Sequence, residues 1–261
     1  MNKRERVEAC LNFKKPDRHP RHIFTSPYIA IFLDDEYKKL LDSYPMDIIG
    51  LEPVYGHNDE KLQQMSRRGH YTDDWGSVWF VGEPGVMGEV TKPALDDWNK
   101  IKKFIPPFHL IENRNLSYVN KCCEKSGVFN LSGIAGRPFE RLQFLRGSQN
   151  LYLDIAYNRS EFYKLLEMVH EYNLKDIEFW CKSKVDGVFF MDDWGSNNAL
   201  LIDPKIWREV FKHLYREYCD AIHHANKFAF FHTDGFTEPI YDDFIDVGID
   251  AINSQLFVMN I

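Results

Sequence analysis

Cysteine is scarce in this sequence, and no two cysteines form a C-x-x-C pair. The chain has five of them, an odd number: Cys10, Cys122, Cys123, Cys181 and Cys219. This pattern argues against a disulfide framework. We therefore expect reduced thiols, as in a cytosolic protein.

Long hydrophobic runs and an excess of positive charge are also missing. No apolar stretch approaches the length of a membrane span, and the segment after Lys3, Arg4 and Arg6 is too short and too polar for a signal peptide. The net charge is −7 and the basic residues are scattered, which argues against a nucleic-acid-binding surface. We expect a cytoplasmic protein that binds neither membranes nor nucleic acids.

The sequence does contain enough apolar residues for a large core. Of its 261 residues, 44% are hydrophobic and 15% are aromatic. A chain of this length forms one large α/β domain or two small ones. Because no linker separates its segments, we predict a single domain over 1–261.

Two short segments near the C-terminal end carry the most information. Residues 187–195 (GVFFMDDWG) and 228–235 (FAFFHTDG) are apolar runs that end abruptly in polar side chains. Such runs are typical of strands buried on both faces of a parallel sheet. A long amphipathic helix at 203–226 separates them. The pattern predicts a βαβ unit whose two strands end at the same edge of the sheet.

The polar residues after these strands define the predicted site, because ligands of α/β folds bind at the carboxyl ends of the strands. They are Asp192, Asp193, Trp194, His232 and Asp234. We predict that Asp192 or Asp193 is an acid/base or substrate-binding group, since adjacent buried carboxylates raise each other's pKa. Trp194 is a candidate for stacking against a substrate and suits packing in the core equally well. Further substrate-binding candidates at strand ends are Glu52, Arg137 and Asn253.

The other apolar segments complete the predicted sheet. Its strands are expected at 21–28, 46–51, 128–136, 187–191, 228–231 and 250–256. Residues 54–98 instead resemble antiparallel hairpin strands and predict an insertion over the site. The fold class is therefore α/β: an (α/β)8 TIM-type barrel, incomplete at its C-terminus, with about six of eight strands present and strands seven and eight absent. Its open edges predict self-association into a homo-oligomer.

Several motifs together resemble the uroporphyrinogen decarboxylase superfamily. They are the opening segment NKRERVEACLNFKKPDR (2–18), DIIG (47–50), DDWG (73–76), GRPFERL (136–142), DDWGS (192–196) and FHTDG (231–235). They extend over nearly the whole chain and are specific in combination. The resemblance implies an (α/β)8 barrel. The superfamily also contains corrinoid- and cobalamin-linked methyltransferases.

The methyltransferase branch carries a His-x-Cys motif on the fifth strand that binds zinc together with a later cysteine. Here the matching residues are His232 and Asp234, so the cysteine is replaced by aspartate. Zinc accepts carboxylate oxygen. The resemblance therefore implies a zinc-assisted methyltransferase that acts on a small-molecule substrate and a corrinoid held by a partner protein.

Two alternatives remain open from the sequence. In the decarboxylase branch Asp47 matches the aspartate that hydrogen-bonds the pyrrole N–H groups of a tetrapyrrole acid. The arginine-bearing segment that holds the substrate carboxylates there is replaced by the arginine-free segment 23–32. The second alternative is a truncated, catalytically silent binding fragment.

Overall fold

A curled parallel sheet forms the centre of the protein. The computed structural model describes residues 1–23, 25, 27–51 and 67–259. The sheet has five strands in the order β1-β5-β6-β7-β8, all parallel. These strands are β1 (Ile48–Gly50), β5 (Phe129–Ile134), β6 (Gly187–Met191), β7 (Phe228–Thr233) and β8 (Ala251–Ser254).

Helices connect these strands, and several of them pack on the outer face of the sheet. They are α1 (Lys3–Leu11), α2 (Pro27–Phe32), α3 (Asp34–Ser43), α4 (His109–Glu112), α5 (Leu116–Ser126), α6 (Pro138–Arg146), α7 (Ser148–Ala156), α8 (Ser160–Cys181), α9 (Pro204–Ile206), α10 (Lys212–His224), α11 (Tyr241–Asp246) and α12 (Leu256–Met259). A π-helical turn, Trp207–Phe211, joins α9 to α10. No helix in the described ranges combines the length and hydrophobicity needed to cross a lipid bilayer.

The central strands are buried because apolar side chains cover both of their faces. All five residues of β6 are buried. On the outer face Val188 and Phe190 pack with the helices, and on the inner face Phe189 packs with residues of β1, β5 and β7. Val7 of α1 closes the inner cluster at the amino end of the sheet. The prediction of a strand buried on both faces is confirmed for β6, whereas Phe228 and Phe230 on the inner face of β7 are half-buried.

The predicted first strand differs from the structure. A strand was predicted at 21–28. Its last two residues, 27 and 28, instead begin helix α2, which continues to residue 32. The described part of the parallel sheet therefore has five strands rather than six, and its incomplete, barrel-like form is confirmed. Pro27 explains the difference, because proline is favoured at the first position of a helix and the short apolar run after it has no strand-specific alternation.

The antiparallel segment predicted within 54–98 is confirmed for its described part. Strands β2 (Gly69–Thr72), β3 (Val78–Val81) and β4 (Glu89–Lys92) form a three-stranded antiparallel sheet. This sheet packs on α6: Ser77 Oγ donates to the Phe144 carbonyl at 2.9 Å, and the Trp79 and Phe144 rings lie 4.7 Å apart.

Candidate metal centre

The carboxyl ends of β6 and β7 lie side by side because the two strands are in register. Met191 is paired with His232, so both side chains lie on the inner face of the sheet. Side chains alternate between faces along a strand, which puts Asp193 and Asp234 on that face and Asp192 on the other. Asp192 and Asp193, although adjacent in the sequence, therefore face opposite sides of the sheet.

Two glycines hold the loops after these strands together. A Cβ on Gly235 would lie 2.3 Å from Gly195 backbone atoms, and one on Gly195 would lie 2.4 Å from the Phe236 amide. Gly235 also has a φ of +81°, which glycine adopts without strain. The close backbone contact allows the Gly195 amide to donate to the Asp234 carbonyl at 3.1 Å.

Asp193, His232 and Asp234 form a compact group of ligand atoms, all within 4.8 Å of one another. His232 Nε2 lies 3.9 Å from Asp193 Oδ1 and 3.6 Å from Asp234 Oδ1. Asp193 Oδ1 also accepts a hydrogen bond from the Asp234 amide at 2.9 Å. The group thus combines one imidazole and two carboxylates, joined directly through the loop backbone.

Asn253 of β8 orients the imidazole. His232 Nδ1 lies 2.6 Å from Asn253 Oδ1. An amide oxygen only accepts, so Nδ1 donates to it and Nε2 is the ring nitrogen that faces the two carboxylates. Metal-binding histidines usually have such a partner on the second ring nitrogen.

The local charges favour a cation. Burial raises the pKa of Asp234, and the negative charge of Asp193 raises it further, while His232 and the Gln255 amide lower it. A positive ion placed between the two carboxylates would offset the repulsion that raises the pKa of Asp234.

The donor atoms fit a divalent metal such as zinc. Zinc bonds to nitrogen and oxygen of about 2.0–2.2 Å place tetrahedral ligands about 3.4 Å apart, close to the observed 3.6 and 3.9 Å. Three protein ligands would leave one coordination position open, as in catalytic rather than structural zinc sites. Asp193 joins the two ligands predicted from the sequence, His232 and Asp234.

Asp192 points away from this group. It is fully buried and accepts hydrogen bonds from the amides of Phe139 and Glu140 and from the Tyr215 hydroxyl, each at 2.7 Å. Burial raises its pKa, and the Glu140 carboxyl raises it further, whereas the three hydrogen bonds lower it. The geometry gives Asp192 the role of a cap on the amino end of α6.

Trp194, for which the sequence allowed either core packing or substrate stacking, lies in the core. Its side chain has no exposed surface and stacks on Phe139 with ring centroids 4.2 Å apart. The indole Nε1 donates to the Tyr215 hydroxyl at 2.8 Å. A substrate has no access to either face of the ring.

Asp47 lies at the opposite end of the sheet. It directly precedes β1, at the amino end of the strands, and is fully buried. Its oxygens accept hydrogen bonds from the side chains of Arg6 and Arg18 and from the Arg21 amide. Asp47 lies at the amino ends of the parallel strands and His232 at their carboxyl ends, so the structure does not bring the two residues together.

Arg137 and Glu140 lie at the start of α6, where the Glu140 amide donates to Asp192 after the end of β6. Arg137 Nη1 lies 3.7 Å from Glu140 Oε1. Glu140 was not among the residues singled out from the sequence. An acidic residue in the first turn of a helix usually only complements the helix dipole, so its position gave no separate signal. The predicted Glu52 lies outside the described residues.

Comparisons with known proteins identify the family of this fold. The model of the uroporphyrinogen decarboxylase (URO-D) family matches residues 77–256. A solved methyltransferase from Methanosarcina mazei is similar, with a TM-score of 0.66 and 14% identity, over 97% of this chain and 75% of that chain. This likeness shows a shared fold. A search of curated proteins finds no significant match. Because the family match spans more than half of its residues, the chain belongs to the uroporphyrinogen decarboxylase family.

Proposed function

We propose that this chain is a metal-assisted methyltransferase that moves a methyl group between a small molecule and a corrinoid on a partner protein. The observation that carries the proposal is the group formed by Asp193, His232 and Asp234, with Nε2 of the imidazole facing both carboxylates. The similarity to a solved methyltransferase agrees with it.

Each residue has a distinct task in this proposal. Asp193, His232 and Asp234 would hold zinc, which supplies Lewis-acid chemistry and favours the deprotonated form of a bound methyl acceptor. Asn253 keeps the imidazole in the tautomer that can bind the metal. Arg137 would contact an anionic part of the substrate.

Zinc binding tests the proposal directly. We expect purified wild-type protein to bind about one zinc per chain and His232→Ala to lose it, because one of three ligands is removed. His224→Ala is the matched control, since His224 is exposed at the end of α10, away from the three ligands, and bonds to the backbone carbonyl of Asp220. Metal analysis after dialysis gives the stoichiometry.

Demethylation of methylcobalamin, followed by visible absorbance, supplies the second measurement. The zinc-loaded protein should demethylate it in the presence of 2-mercaptoethanol, and His232→Ala should not. Negligible zinc in the wild type, or equal zinc in wild type and His232→Ala, would contradict the metal centre. Zinc binding without any demethylation would contradict corrinoid-linked transfer.

A further inference from the structure

Glu140 lacks the partners that a buried carboxyl normally has. Its side chain is only 9% exposed, and Oε2 accepts no hydrogen bond from the described residues. Arg137 lies 3.7 Å from the other oxygen, beyond hydrogen-bonding distance. A buried acceptor without a donor destabilises a fold, so such atoms in a native protein need an explanation.

The backbone of Glu140 is fixed in place. Its amide donates to Asp192 Oδ1 at 2.7 Å, and the Phe139 amide donates to Asp192 Oδ2 at the same distance. The first turn of α6 is thereby attached to the end of β6, beside the metal centre. The carboxyl of Glu140 is held near the ends of the strands by this attachment.

The electrostatic surroundings of Glu140 include the metal centre. Burial raises its pKa, and the Asp193 carboxylate also raises it, while Arg137, Arg141 and His232 lower it. A carboxylate with a raised pKa is a stronger base than an exposed glutamate. Glu140 is therefore within electrostatic range of Asp193 and His232.

Resting on the proposed methyl transfer, we propose that Glu140 contacts the substrate: Oε2 accepts a hydrogen bond from the S–H, O–H or N–H group of the methyl acceptor and then takes its proton. In this step the electron pair of that bond forms the new bond to the methyl carbon. The bond between methyl carbon and methyl donor, a methylated corrinoid, breaks, and its electron pair stays with the donor. Glu140 ends as a neutral carboxylic acid.

Thermal unfolding of the metal-free protein tests whether Glu140 is kept for function rather than for stability. We expect Glu140→Gln and Glu140→Met to raise Tm by about 2–4 °C, because each removes a buried charge that has no donor. Asp176→Asn is the matched control. Asp176 is equally buried, but Arg114 binds both of its oxygens, so its replacement should lower Tm.

Calorimetric titrations of zinc and then 2-mercaptoethanol test the contact itself. Glu140→Gln should bind zinc within about threefold of wild type, since the three ligands remain, and should bind 2-mercaptoethanol about tenfold more weakly. A lower Tm in both Glu140 variants, or unchanged thiol affinity, would overturn the inference. Failure of wild-type protein to bind zinc would contradict the proposed function instead, and the Tm comparison would then decide whether Glu140 is a stabilising residue.

Discussion

At the scale of single residues, two adjacent aspartates have separate environments. Asp192 accepts three hydrogen bonds inside the protein, whereas the side chain of Asp193 is 36% exposed and faces His232. The strand alternation that separates them can be read from the sequence only once the register with β7 is known.

Because the two environments differ, we predict that the same substitution affects stability at Asp192 and zinc binding at Asp193. Asp192→Asn should lower the free energy of unfolding by about 2–4 kcal/mol, because its amide group would face the donors of α6 and Tyr215. Asp193→Asn should leave that free energy almost unchanged and weaken zinc binding. Guanidinium unfolding and metal analysis of both variants check this. Equal destabilisation by the two changes would contradict the assignment.

The sequence predicted His232 and Asp234 at the site because the apolar run 228–231 ends just before them. It could not predict the burial of Trp194, since a tryptophan after a strand suits a ligand-stacking surface and a core equally well. It also missed Glu140, whose unpartnered oxygen is visible only when the surrounding atoms are known. Burial and hydrogen-bond partners come from packing between distant segments, which a single sequence does not specify.

At the scale of elements, the contact between the loops after β6 and β7 determines how Asp193 and Asp234 approach each other. Gly195 and Gly235 allow backbone to lie directly on backbone. Any Cβ at either position would push apart the loops that carry Asp193 and Asp234.

Gly235→Ala should therefore lower the free energy of unfolding by more than the positive φ of this residue alone explains. Gly127 provides the control, because its φ is +65° and a Cβ there would meet nothing within 4 Å. We expect Gly127→Ala to lower the free energy of unfolding by about 1 kcal/mol and Gly235→Ala to lower it by more than about 3 kcal/mol. Gly235→Ala should also lose zinc binding. Chemical unfolding of both variants measures the difference, and equal costs would contradict the steric explanation.

Long amphipathic helices and doubly buried strands were predicted well because their periodicity is strong. The predicted helix 203–226 is observed as α9, the π-helical turn and α10, which follow one another over 204–224, and β6 matches its predicted bounds. The error at 21–28 came from a short apolar run in which no period distinguishes strand from helix.

At the scale of the whole molecule, Asp47 attaches the N-terminal segment to the sheet. Its carboxylate, buried before β1, binds Arg6 of α1 and Arg18 of the following loop. Burial by itself raises the pKa of Asp47, but hydrogen bonds from Arg18, the Arg21 amide and Arg6 lower it below its ordinary value.

The direction of this shift predicts a sensitivity to acid. Above the ordinary aspartate pKa of 3.8 the stabilisation by Asp47 is fully present, and it is lost as the pH falls toward the lower pKa of the folded state. Asp47→Asn should lower the free energy of unfolding by about 3 kcal/mol at pH 7. The variant should also lose less stability than the wild type below pH 4. Unfolding measured from pH 7 to pH 2 checks this, with Asp42→Asn, an exposed change in α3, as control. An unchanged pH profile in Asp47→Asn would contradict it.

The backbone contact between Gly195 and Gly235 also bears on how such a chain can diverge. Every amino-acid substitution at a glycine adds at least one carbon atom, and neither position has room for it. We therefore expect related sequences to keep both glycines. The side chains of the candidate metal centre are under no such steric constraint from the main chain, so they can change long before the loops that present them.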